Sequence, residues 1–412
     1  MRKTFYLNML IVLISCTGGN KTSDNTDFDV DVQSPIYVFM EDILQKEDTE
    51  PLSSIASEIV YIPLETNDNS LLKGVALNVV FINESYIVND VDNIFLFDKD
   101  GKYIKRIAQR GGGPSDYPTQ IYNVVADPET NYFYLFSTDK VIKFDEKANY
   151  IEHFSIPNVR KFSMAYIRGV FTTQKTMVLG LFNSVVQFDD TTTVFNAIEI
   201  DTIGHIINKY INHSPRYVQE TRLQINSRNT SLYVFNNDVR FLDFGHDTIF
   251  SLKGDSMMPY AILDLGKNKT NLVLNLKTID FHVMDDAIKN LSGHIIWSML
   301  ENDSYFFIEL TKKGLDDNYI FCLFHKKSKE LKLLKDNVFL NDIDGGISFL
   351  PRQILNNNEL IGVKSAEKFK EEILSLDYNV QKTKYGERFE KVYQLAKSLR
   401  EDDNPVLIIA KK

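Results

Sequence analysis

The sequence predicts an all-β protein, a six-bladed β-propeller with a C-terminal helical insertion in the last blade. Three observations carry that reading. A ten-residue hairpin recurs along the chain, its copies lie 47 and 56 residues apart, and the two-residue periodicity gives way near the C-terminus to a helical one before returning.

The hairpin copies are "FLFDKDGKYI" (95–104), "IKFDEKANYI" (142–151) and "IEIDTIGHII" (198–207), which superimpose without a gap. Each has alternating apolar residues, an aspartate (Asp98, Asp145, Asp201), a turn with Gly101, Ala148 or Gly204, and a second apolar strand. A degenerate copy, "CLFHKKSKEL" (322–331), puts His325 in place of the aspartate and Ser328 in place of the glycine. Period-two patterning with turn residues between the runs means antiparallel strands, and a repeat of about 40–60 residues means one small sheet per repeat. Such a sheet buries its faces only against its neighbours, and radial stacking of four-stranded blades is the usual outcome.

In chain order, the first blade spans Val75 to Gln109, the second Ile121 to Ile156 and the third about Phe162 to Asn212. The fourth contains "SLYVF" (231–235), and the segment from Asp238 to Gly266 either ends it or opens the fifth. "SYFFIEL" and "YIFCLFHKK" continue the fifth. "GISFLPRQIL" and "NELIGVK" start the last blade, after which "ERFEKVYQLAKSL" places Phe389, Val392, Tyr393, Ala396 and Leu399 on one helical face. The helical insertion is expected over about 366–401. Val406 to Ala410 then returns as a third strand, and "EIVYIPLE" (58–65) supplies the fourth, closing the ring and removing two open sheet edges.

The N-terminus reads as an export signal. Arg2 and Lys3 precede an apolar run, Phe5 to Ile14, too short to span a bilayer and ending in "LISC". That ending resembles a bacterial lipoprotein signal, which implies cleavage before Cys16 and a diacylglycerol on its thiol. Residues 1–15 are then the signal peptide, 16–30 a flexible polar linker ("TGGNKTSDNTD") and 31–412 the propeller. The only other cysteine, Cys322, sits among apolar residues and reads as a small buried hydrophobe. The chain carries a net charge of −10, which becomes −12 once Arg2 and Lys3 are removed, and this disfavours nucleic acid as a partner.

"YIPLETNDNSLL", "FLFDKDGKYIKRIAQRGGGPSDY", "NDIDGGISFLP" and "EDDNPVLIIAKK" together resemble the six-bladed β-propeller lipoproteins of gut-type Gram-negative anaerobes, related in architecture to NHL and TolB-like propellers. The resemblance implies the fold and a lipid-anchored place in the cell envelope, at the outer membrane, facing the periplasm or the surface. It implies little chemistry. The sequence departs from the family at Ala108 and Gln109, where a glycine is common.

"QRGGGPSDYP" (109–118) lacks the lysine of a phosphate-binding loop, leads into a strand, and loses an amide at Pro114. It reads as a turn between blades, on the face where propellers bind ligands, with Arg110, Asp116 and Tyr117 as candidate contacts. His246 and Asp247 in "FGHDTIF" form the other candidate pair, as base or ligand. His282, Asp285, Asp286 and His294 match no metal signature, and Asp342 and Asp344 in "NDIDGG" read as turn residues rather than a calcium loop. No catalytic residue, metal or cofactor is assigned. The expected function is that of an envelope-bound module binding or scaffolding a glycan, a peptide or an envelope protein. The alternative is a propeller hydrolase or lyase acting on a carbohydrate or lactone.

Overall fold

The structure is a computed structural model. It describes residues 34–41, 47–74, 78–90, 93–117, 121–137, 140–155, 167–181, 185–186, 193–211, 222–224, 231–243, 245–270, 273–275, 290–311, 313, 318–355 and 359–412. Six antiparallel sheets follow the chain from inner to outer strand within 78–109, 121–154, 167–211, 231–264 and 296–340, the sixth being assembled from both ends of the fold. The inner strands adjoin one another in chain order, and the molecule is a six-bladed β-propeller. The segment 238–264 completes the fourth blade, and the fifth begins at Ile296. Outside the blades, Arg222–Gln224 pairs antiparallel with Val273–Asn275 in a two-stranded ribbon.

The core is divided as radial stacking requires. Six clusters of buried apolar side chains each lie between successive blades, and the one joining blade 6 to blade 1 closes the circle. Strand Val406–Lys411 shows how the two-residue period does this: Leu407 and Ile409 pack towards blade 1, while Val406, Ile408 and Ala410 pack towards blade 5. The abundance of phenylalanine has the same explanation, since Phe97, Phe133, Phe136, Phe144, Phe241, Phe306, Phe307, Phe324 and Phe339 are fully buried between blades.

The repeated hairpin has a repeated physical basis. Asp98, Asp145 and Asp201 each accept two backbone N–H bonds through one carboxylate oxygen, from the residues two and four positions on, at 2.7–3.0 Å. The third residue after each aspartate has positive φ: Gly101 at 82°, Ala148 at 57° and Gly204 at 94°. Thr172 builds the same turn with its hydroxyl, and Lys175 takes the positive φ. In the degenerate copy the turn is one residue longer, so the positive φ falls on Lys329 rather than Ser328, and the His325 ring nitrogen accepts from Ser328 N. A Cβ at Gly101 would lie 2.3 Å from the Pro63 carbonyl oxygen, on the outer strand of blade 6. Gly101→Ala therefore combines a left-handed penalty with a clash and is expected to cost at least about 2 kcal/mol, measured by urea unfolding.

The N-terminal part of the fold runs as a strap around the outer edges. β1 (Ile36–Phe39) adds a parallel fifth strand to blade 4, β2 (Glu47–Pro51) does so for blade 5, and β3 (Glu58–Pro63) is the outer strand of blade 6. Blade 6 has the order Gln353–Ile354, Leu360–Lys364, Val406–Lys411, β3, so its last two strands come from opposite ends of the fold.

Between the second and third strands of blade 6 stand three helices, α1 (Ala366–Ser375), α2 (Tyr378–Tyr385) and α3 (Glu387–Ser398). Ser365 and Asp377 cap α1 and α2 by accepting from Lys368 N and Val380 N. Gly386, at φ 62°, turns α2 into α3. Phe389, Val392, Ala396 and Leu399 are buried as their spacing predicts, with Tyr393 half-buried beside them.

Candidate functional site

Successive strands of a blade are antiparallel, so the chain enters every inner strand from one face, and the loops joining second to third strands open on that face too. The "RGGGPSDY" loop, the His246–Asp247 turn and the helical insertion all belong to this entrance side.

The glycine loop is latched from inside. Gly111 N donates to the Tyr117 carbonyl at 3.0 Å and Tyr117 N to that of Gln109 at 3.2 Å. A Cβ at Gly111 would stand 2.5 Å from the Asp116 carboxylate, which accepts from Gly113 N at 3.1 Å. The Lys140 ammonium donates to the carbonyl oxygens of Gly113, Pro114 and Asp116 at 3.3, 2.8 and 2.7 Å. A phosphate cradle aims amides at an anion, whereas this loop aims carbonyls at a cation that the chain already supplies. Arg110 is exposed, Asp116 is half-buried, and Tyr117 is fully buried in the core between blades 1 and 2.

His246 and Asp247 do not pair with each other. The His246 ring faces Asp243 at 3.7 Å, and Asp247 binds Lys269 at 2.7 Å. Burial pushes the Asp247 carboxyl up, yet the hydrogen bond and charge of Lys269 hold it below the usual range. His294 engages the Thr311 carbonyl through Nδ1 at 2.8 Å, while His282, Asp285 and Asp286 lie outside the described residues, as does Cys16. Asp342 accepts from Ser53 N and Oγ, and Asp344 from Tyr61, Asn341 and Gly346 N, so both carboxylates tie loops together. Cys322 is buried and its thiol is pushed up to about 12. Among the described residues no three His, Cys, Asp or Glu side chains are grouped to hold a metal.

Around the axis, amides link the inner strands. Gln353 Oε1 accepts from Val79 N at 3.0 Å, Asn78 Nδ2 donates to Asn123 Oδ1 at 3.4 Å, and Asn123 Nδ2 donates to the Gly169 carbonyl at 2.8 Å, running from blade 6 through 1 and 2 to 3. Ser231 Oγ accepts from Met299 N between blades 4 and 5. Asn78 and Asn89 are cross-strand partners at the entrance end of blade 1, and the side-chain oxygen of each is buried with no partner among the described residues. Leaving a buried acceptor unsatisfied costs about 1–3 kcal/mol, so this pair of oxygens is the place where the inner ring has bonding capacity to give.

A second polar cluster joins blades 4 and 5. The fully buried Glu301 carboxylate accepts from Tyr233 at 2.8 Å, Tyr260 at 2.6 Å and Lys326 at 2.5 Å. The Arg240 guanidinium lies 3.8 Å from the centre of the Tyr260 ring and binds Asp238 and Ser251. Lys326 also stands 3.9 Å from the centre of the Phe235 ring. Each base in the cluster faces an acid, Lys326 on Glu301 and Arg240 on Asp238, with Lys253 reaching Asp238 at 3.3 Å from the more exposed side, which identifies the cluster as inter-blade glue. Burial and then the Glu301 charge raise both tyrosines, and burial raises Tyr86 and Tyr134 to about 12. Folded tyrosines that keep their protons above the ordinary value of 10 contribute stability that is complete below pH 10 and is lost as pH rises towards 12. Urea midpoints measured across that window are expected to fall steadily.

The sequence profile of a domain of unknown function, DUF4934, matches residues 36–411. The chain belongs to this family. Its fold is similar to that of a candidate exported protein of Bacteroides fragilis, at 16% identity over 92% of this chain and 100% of that one, with a TM-score of 0.63. A DUF4221 member from Bacteroides vulgatus aligns at 13% identity over 68% and 84% of the two chains, with a TM-score of 0.43. No curated protein matches. Among the described residues no helix of this DUF4934 member is long and apolar enough to cross a membrane.

Proposed function

We propose that this DUF4934 protein is exported, joined to the envelope through a lipid on Cys16, and works as a binding or scaffolding module whose entrance face takes a neutral polar ligand, a glycan above all. The observation that carries the reading is the contrast on that face. Lys140 is engaged with three carbonyls, Asp247 with Lys269 and His246 with Asp243, Arg110 is exposed, and the buried amide oxygens of Asn78 and Asn89 have no partner among the described residues. Sugar hydroxyls supply such donors without charge. The hydrolase or lyase alternative is not favoured, because acid–base work requires groups free to exchange protons with a substrate.

The test is a thermal-shift screen of the mature chain against glycans, cell-wall fragments and divalent cations. A ligand at 100 times its dissociation constant adds about 2.7 kcal/mol. A reproducible rise with one glycan class supports the proposal. A rise with cations alone, or none for a folded protein, contradicts it.

A further inference from the structure

The strap that opens the fold carries the most exposed aromatic side chain among the described residues. In β1, Val38 and the following Met40 are fully buried, so the two-residue period turns Tyr37 and Phe39 outwards, where they are 51% and 73% exposed. Their rings stack at 6.0 Å on the outermost strand of blade 4, forming one continuous apolar ridge. Burying an aromatic side chain is worth about 1.5–3 kcal/mol, and the fold leaves both outside although it buries their strand neighbours completely.

We infer that the Tyr37–Phe39 ridge docks on the surface of a lipid bilayer. The inference rests on the Cys16 anchor proposed above. Seventeen residues separate Cys16 from Ser34, so a lipid on that thiol keeps the first strand of the fold within roughly 60 Å of the membrane even with the chain fully extended. Tethering at that range makes contact intramolecular, with an effective concentration in the millimolar range, so a weak interfacial affinity suffices. Tyrosine and phenylalanine suit the headgroup–acyl boundary, where a ring is covered while its edge stays wet. Lys267 and Glu41, which pair at 2.9 Å just beyond β1, flank the ridge with balanced charge, and the body as a whole is acidic; both favour zwitterionic over anionic lipid.

The probe is tryptophan at position 39. Phe39→Trp, combined with Trp297→Phe, is placed in the mature chain with Cys16→Ser and an N-terminal histidine tag, and is tethered to phosphatidylcholine vesicles containing chelating lipid and brominated acyl chains. The tag replaces the native anchor, so the result is independent of whether Cys16 is lipidated; mass analysis of the native mature N-terminus decides that question separately. Entry to the interfacial depth gives a blue shift and about a twofold loss of emission, while Trp297 in the parent chain stays unquenched. Unquenched, unshifted emission from tethered protein overturns the inference and leaves the ridge to a protein partner. A blue shift that grows with protein concentration without vesicles also overturns it, in favour of a second copy of the chain.

Discussion

A chain ending at Pro405 is expected to lose the cooperative fold altogether. The deleted strand buries Val406, Leu407, Ile408 and Ile409, each at 3% exposure or less, and bonds to Leu360–Lys364 on one side and β3 on the other. At about 1.5–3 kcal/mol per buried side chain the loss is of order 8 kcal/mol, comparable with the whole stability of a typical domain. It also opens two sheet edges at once and severs the sheet that joins both ends of the fold. Circular dichroism melting is the measurement: the truncated chain should show no sigmoidal transition. The milder Leu407→Ala is expected to keep the transition and cost about 2–5 kcal/mol. A truncated chain that melts cooperatively near the parent temperature would show that the ring does not depend on its clasp.

The second large effect belongs to Glu301. Glu301→Gln leaves the Lys326 ammonium with 13% of its side chain exposed and without its hydrogen-bonded carboxylate, only the charge of Asp303 remaining to offset it, and loss of one partner of a buried pair costs about 3–5 kcal/mol. Removing both charges, as in Glu301→Gln with Lys326→Met, should recover most of that loss, because the desolvation of Lys326 disappears with its charge. Burial already lowers the Lys326 pKa despite Glu301. In the single variant that depression deepens, so stability should climb as pH rises from neutrality towards the ordinary lysine value, where the folded chain sheds a proton the unfolded chain still holds. A double-mutant cycle by urea unfolding checks both statements, and an additive double variant would refute the pairing.

Much of the fold was legible because its determinants are local. Asp98, Asp145 and Asp201 fix their turns within five residues, so the repeat shows as a repeat of letters. The closing strands were legible because each is a long apolar run with nowhere else to go. β1 and β2 were not. One is four residues long, the other is "EDTEP", and a parallel strand added to an edge takes its register from the sheet it joins rather than from its own pattern. The candidate site was least legible. Lys140 lies 24 residues beyond the last carbonyl it binds, and Lys326 lies 25 beyond Glu301. Asn78, Asn89 and Asn123 fall inside strands expected of the first two blades, but a strand pattern does not say which polar residues meet near the axis, and only the closed ring brings these amides together there. Arg110 stays exposed, Tyr117 belongs to the core, and the adjacent pair His246–Asp247 separates towards different partners, since neighbours in a turn point apart.

If the entrance end of blade 1 keeps bonding capacity for a ligand at the expense of stability, Asn89→Leu should separate the two. The side chain is nearly isosteric, and it replaces an unpartnered buried oxygen with apolar surface. The melting temperature of the free protein should then stay level or rise, while affinity for the best glycan of the screen falls about tenfold, the worth of one hydrogen bond. A lower melting temperature with affinity unchanged would mean that Asn89 serves the fold alone and that this end of blade 1 holds no ligand.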